Sequence, residues 1–126
     1  IAHRTNHEVL IIGDLGDRDK IKSSEIENES QVKCLCGETS IRETAAIIRA
    51  SNITVTNSSV AMHIAAAFEI PTIVCLGKAY HSANLHHAQW GYPESTILGK
   101  EISNQNNELP IPEDIFKMLS VKLLNE

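Results

Sequence analysis

Read for its pattern of apolar and polar positions, the chain opens with Val9-Leu10-Ile11-Ile12, an unbroken apolar run closed by Gly13. That is the form of a short parallel strand covered on both faces. A polar stretch follows, and the only apolar positions between Asp17 and Glu27, Ile21 and Ile26, predict a sparse helix there. Val32 to Cys36 reads as a second strand. Ser40 with Glu43 three residues on is the reciprocal capping-box pattern, and Ile41, Ala45 and Ile48 continue it as a helical stripe. Ile53 to Thr56 makes a third strand, Ser58 to Phe68 a helix ended before Pro71, and Thr72 to Leu76 a fourth strand.

Strand and helix alternate with short connections, so the expected class is α/β, a parallel sheet with helices on both faces. The pattern stops after Gly77. Residues 78–95 read as a long surface loop, Thr96 to Leu98 as a further short strand, and residues 105–111 as a linker. Pro112 is well placed to start a C-terminal helix over 112–124. Residues 1–126 are expected to form one domain.

Charge narrows the partners. With a net charge of −5 and no basic stripe, the chain lacks the Lys and Arg density that nucleic-acid binding needs. No apolar run approaches the roughly 20 residues of a spanning helix. Cys34 and Cys36 sit in a strand-like stretch and are expected to face opposite ways. With Cys75 they are read as buried, reduced thiols, which suits the cytoplasm. His81, His86 and His87 lie close together in the expected loop, but no ordered Cys or acidic set accompanies them. A solvated loop is the preferred reading there, so no metal and no cofactor is expected.

The candidate chemistry lies at Thr56-Asn57-Ser58-Ser59, where a strand ends and a helix begins. In an open parallel sheet, ligands gather beyond the carboxyl ends of the strands. The first N–H groups of a helix lack partners, and its dipole favours an anion at that end. Small hydroxyl side chains let a phosphate approach, and His63 shares a helix face with Ser59 four positions earlier. The plainer alternative is that these residues are helix caps and His63 is a packed histidine. Both readings stay open on this stretch alone.

A longer context is more specific. Leu35-Cys36-Gly37-Glu38-Thr39-Ser40-Ile41-Arg42-Glu43 is followed at a dozen residues by Thr56-Asn57-Ser58-Ser59-Val60-Ala61-Met62-His63-Ile64-Ala65-Ala66-Ala67, and then by Pro71-Thr72. This order resembles the C-terminal half of glycosyltransferase family 9, the heptosyltransferases, over roughly residues 9 to 77. The family's Asp-Ser-Gly reads Ser58-Ser59-Val60 here, which loses a carboxylate and a permissive glycine.

The resemblance implies a Rossmann-like domain, half of a two-domain GT-B fold, whose N-terminal domain and first strand fall outside this sequence. It implies a nucleotide-sugar donor such as ADP-heptose, with transfer to the lipopolysaccharide core, the acceptor being held by the N-terminal domain. By position, Ser58, Ser59 and Val60 match residues that hold the diphosphate, and His63 the histidine one turn in. Asp19 matches an acid that takes ribose hydroxyls, and Cys36 and Gly37 lie where the adenine edge meets backbone. No catalytic residue is expected on this chain, so alone it should not transfer sugar. The implied location is the cytoplasm, at the inner face of the inner membrane, with peripheral membrane contact by the whole protein. The alternatives are half of a nucleotide-sugar epimerase and a non-catalytic nucleotide-binding module.

Overall fold

The computed structural model of the chain describes residues 6–24, 26, 29–102 and 105–123. They form two compact units, one up to Thr44 and one from Ala45 onward. Each carries its own parallel sheet.

In the first unit, β1 (Val9–Ile11) pairs in parallel with β2 (Val32–Cys34), Val9 opposite Val32 and Ile11 opposite Cys34. Two further backbone bonds extend the pairing, Leu35 N–H to the Ile11 carbonyl at 2.8 Å and Gly37 N–H to the Gly13 carbonyl at 2.9 Å. Helix α1 (Leu15–Ser23) starts two residues before the expected Asp17 because Asp14 caps it. Asp14 accepts from the Asp17 N–H at 3.0 Å, and the Asp17 carboxylate accepts from the Asp14 N–H at 3.3 Å. Two carboxylates also suit the positive end of the helix dipole. The helix ends at Ser23, short of the expected Glu27, which lies outside the described residues.

Helix α2 (Ile41–Ala50) spans the boundary between the units. Its cap is the expected one: the Glu43 carboxylate accepts from the Ser40 N–H at 2.8 Å, and the Ser40 hydroxyl accepts from the Glu43 N–H at 3.3 Å. Ile48 is buried while Ile41 at the start of the stripe is exposed.

The second unit holds β3 (Thr54–Thr56), β4 (Thr72–Cys75) and β5 (Ser95–Leu98), parallel and in that order. Helix α3 (Val60–Ala67) packs on β3 and β4, and α4 (Ala83–Trp90) on β5. On the central strand, Ile73 and Val74 are both fully buried, although neighbours on a strand point to opposite faces. Both faces of β4 are therefore covered. One side is Met62 with Val74 and Leu76, ringed by Tyr80, Ala83, Tyr92 and Ile97. The α5 helix (Pro112–Leu123) also packs on β4 and buries Leu119; Leu124, where the helix was expected to end, lies outside the described residues.

Two stretches after Gly77 differ from what the pattern predicts. The stretch 78–95 contains α4, capped by Ser82, rather than an unbroken loop. The stretch 105–111 contains β7 (Gln105–Glu108), antiparallel to β6 (Lys100–Ile102), rather than a plain linker. Among the described residues, no helix is long and apolar enough to cross a membrane.

Candidate functional site

Helix α3 begins directly beyond the carboxyl end of β3, and its start differs from the other capped helices. Ser59 is the N-cap residue with extended backbone, φ −146° and ψ −180°, yet its side chain makes no cap hydrogen bond. Its hydroxyl instead pairs with that of Thr56 at 3.0 Å. Asp14, Ser40 and Ser82 all cap their helices through the side chain. The leading N–H groups of α3 are thus not taken by the N-cap side chain, and no acidic residue lies in its first turn. Donors of this kind, at the positive end of the dipole, suit an anion.

Val60 is the first helical residue and its side chain is largely exposed. Among the described residues, only Asn6 and Glu69 are non-glycine residues with positive φ. Val60 therefore needs none of the left-handed freedom that glycine has in the resembled motif.

Two histidines flank this helix start. His63 is exposed, one turn into α3, and its Nδ1 meets the Tyr92 hydroxyl at 2.7 Å, with the rings edge to face at 5.7 Å. It is not the packed histidine of the plainer reading. His86, on α4, is buried, and its Nε2 lies 2.8 Å from the Ser58 hydroxyl. Tyr80 meets its ring edge to face at 5.0 Å. Burial, and secondarily the neighbouring His87, hold the His86 imidazole below the usual histidine range, so it is neutral at pH 7. This contact escaped the sequence, where all three histidines of the stretch were read as solvated. Among the described residues no group of His, Cys, Asp and Glu is arranged to hold a metal ion.

The remaining expected site residues belong to the first unit. Cys36 is fully buried, and burial with the neighbouring Cys34 thiol raises its pKa to about 11. The Cys34 and Cys36 thiols interact with each other rather than facing opposite ways, since side chains two apart along an extended stretch share a side. Gly37 adopts φ +71°, and a side chain there would collide with Leu15. Its N–H is already given to Gly13, so it is not available to a nucleobase. Asp19 stands exposed on α1. The acid set against Gly13 and Cys36 is Asp17: a side chain at Gly13 would come within 2.7 Å of the Asp17 carboxylate and 3.2 Å of the Cys36 sulfur. Arg18 pairs with Glu38 at 2.7 Å and ties α1 to the turn after β2.

The second unit also has a groove of about 350 Å³ between the end of β5 and α5, lined by Leu98, Pro110, Met118 and Val121 with Asp114 and Lys117. None of the expected site residues lines it.

The sequence profile described as glycosyltransferase family 9 (heptosyltransferase) matches residues 1–96. The structure is similar to that of the ADP-heptose lipopolysaccharide heptosyltransferase II of E. coli, with a TM-score of 0.72 at 21% identity. The match covers 94% of this chain but only 37% of that one. No curated protein sequence matches the chain significantly. The alternation of strand and helix, the ordered motifs and the profile agree: the chain belongs to glycosyltransferase family 9, the heptosyltransferase family.

Proposed function

We propose that this chain is the donor-binding part of a glycosyltransferase, and that the start of α3 holds the diphosphate of a nucleotide sugar of the ADP-heptose kind. The observation that carries the reading is the uncapped beginning of α3 beyond the carboxyl end of β3. In a family of sugar transferases, a helix start with leading N–H groups that the N-cap side chain leaves untaken, and two serine hydroxyls, suits a diphosphate. Negative charge grows on that leaving group as the glycosidic bond to the donor breaks. Fixed N–H and O–H donors stabilise it without having to reorganise.

In this reading the Val60 N–H and the Ser58 and Ser59 hydroxyls meet phosphoryl oxygens. His63, held by Tyr92, stands one turn away as a further donor to the same group. The diphosphate contacts need none of Asp19, Cys36 and Gly37. The acceptor, proposed as the lipopolysaccharide core, and any base that activates it belong to other parts of the protein. Cytoplasmic action at the inner membrane face follows from the same proposal.

Calorimetric titration of the chain with ADP, UDP, an ADP-sugar and inorganic diphosphate tests it. Adenine nucleotides and diphosphate should bind, and Ser59→Ala should weaken each by several-fold, as expected for one hydrogen bond worth about 1 kcal/mol. Equal affinity for every nucleotide and its loss on removing the phosphates would narrow the site to an anion holder. No binding of any of them would refute the reading.

A further inference from the structure

The contact between His86 and Ser58 has a polarity that burial settles. His86 is only 6% exposed, its Nε2 is 2.8 Å from the Ser58 Oγ, and its Nδ1 is buried with no hydrogen-bond partner among the described residues. A neutral imidazole carries its proton on one nitrogen and offers a lone pair on the other. With the proton on Nδ1, a buried N–H would face no acceptor, while Nε2 would consume the Ser58 O–H. With the proton on Nε2, it donates to Ser58 and only a lone pair on Nδ1 goes unmet. Orphaned buried donors are rarer than under-satisfied acceptors. The second arrangement is favoured.

That choice decides what Ser58 can offer to a ligand. Once Nε2–H donates to the Ser58 oxygen, the hydroxyl proton is left to be given elsewhere. In the opposite tautomer the hydroxyl would spend its proton on His86 and turn lone pairs outward, toward any approaching anion. Ser58 lies immediately before the N-cap of α3, whose leading N–H groups also point to an acceptor. We propose that His86 is a positioning residue that makes Ser58 a hydrogen-bond donor to a phosphoryl oxygen at the start of α3. The inference rests on the diphosphate reading above and assigns a role to a residue outside the family-like motif.

The test uses the full chain labelled with 15N-histidine, with inorganic diphosphate as the probe. Long-range 1H–15N correlations should show His86 as the Nε2–H tautomer at neutral pH. The Nδ1–H form would overturn the inference whatever the binding results. His86→Gln keeps a side-chain N–H donor near the Nε2 position and should bind diphosphate within about threefold of the unaltered chain. His86→Leu and Ser58→Ala should each lose about tenfold, the size of a hydrogen bond to a charged group. The double variant should lose no more than Ser58→Ala alone, since His86 acts only through the Ser58 hydroxyl. Multiplying losses, or a His86→Leu chain that is folded by thermal melt and binds normally, would overturn it. If the unaltered chain binds no diphosphate, the reading of the α3 start falls and this inference with it. Binding that ignores His86 refutes the inference alone.

Discussion

Replacing Ser59 by Asp should make the protein more stable and a worse binder of anions. Ser59 already occupies the N-cap with the extended backbone a cap requires, but its hydroxyl is spent on Thr56 and caps nothing. A carboxylate there can accept from the leading N–H groups of α3 and still accept from the Thr56 hydroxyl. A good N-cap side chain is worth about 1 kcal/mol. For a chain of 126 residues with an unfolding entropy of about 2.1 cal/mol/K per residue, that is a rise in Tm of about 4 °C. The same carboxylate would sit where the proposed diphosphate binds. Two unit charges about 4 Å apart repel by about 1 kcal/mol in water and about 4 kcal/mol at an effective dielectric of 20. Affinity for diphosphate should therefore fall by between about fivefold and a thousandfold, with the smaller loss at high salt. Thermal denaturation followed by circular dichroism reads the first effect, and calorimetric titration reads the second. A variant that gains stability and binds diphosphate unchanged would place the anion elsewhere. One that loses stability would contradict the uncapped helix start.

Other expectations follow from single features of the structure. Glu69 closes α3 at φ +57°, with the Ile70 N–H bonded to the Ala65 carbonyl at 2.9 Å, in the position that usually carries glycine. Glu69→Gly should stabilise the fold by roughly 0.5–1 kcal/mol, read as a raised midpoint in urea. The Ser40 hydroxyl and N–H hold the Glu43 carboxyl below the usual carboxylate range. Its stabilising effect is fully present above that range and disappears as pH falls through the lowered value, so Glu43→Gln should flatten the acid side of the stability profile. Burial raises the Cys36 thiol to about 11 and pushes the Cys75 thiol up as well. Alkylation of the native chain at pH 7.5 should be slow at both and become fast in denaturant, as mass spectrometry of the peptides would show.

The sequence made some of these features readable and hid others, for physical reasons. The Ser40–Glu43 cap was legible because both partners are local and the chemistry is reciprocal. The strand from Thr72 was legible because a strand covered on both faces runs apolar along its length, and the strands from Val9, Val32 and Thr54 because short runs with apolar or β-branched residues alternate with helical stretches. Helix α4 was not. Its apolar Leu85 and Trp90 are exposed, and the residue it buries is His86, so the usual periodicity is inverted. Its Ser82 cap and the Gly91 that ends it were the available signals. Strand β7 escaped because Gln-Asn-Asn-Glu has poor strand propensity and its partner β6 is shorter still.

At the candidate site, the location of the α3 start was readable from the order of strand and helix. Its lack of a cap was not, since a serine at that position ordinarily caps. The contact from His86 to Ser58 spans 28 residues, and local pattern carries no trace of so distant a pair.

Backbone amide shifts of the 15N-labelled chain, followed as ADP and then inorganic diphosphate are added, test the central claim most directly. The account expects the amides of Ser59, Val60 and Ala61 to move most within the second unit, with both ligands, and to saturate along one curve. Movement confined to the groove between β5 and α5, around Leu98 and Met118, would contradict it, as would no saturable movement at the start of α3.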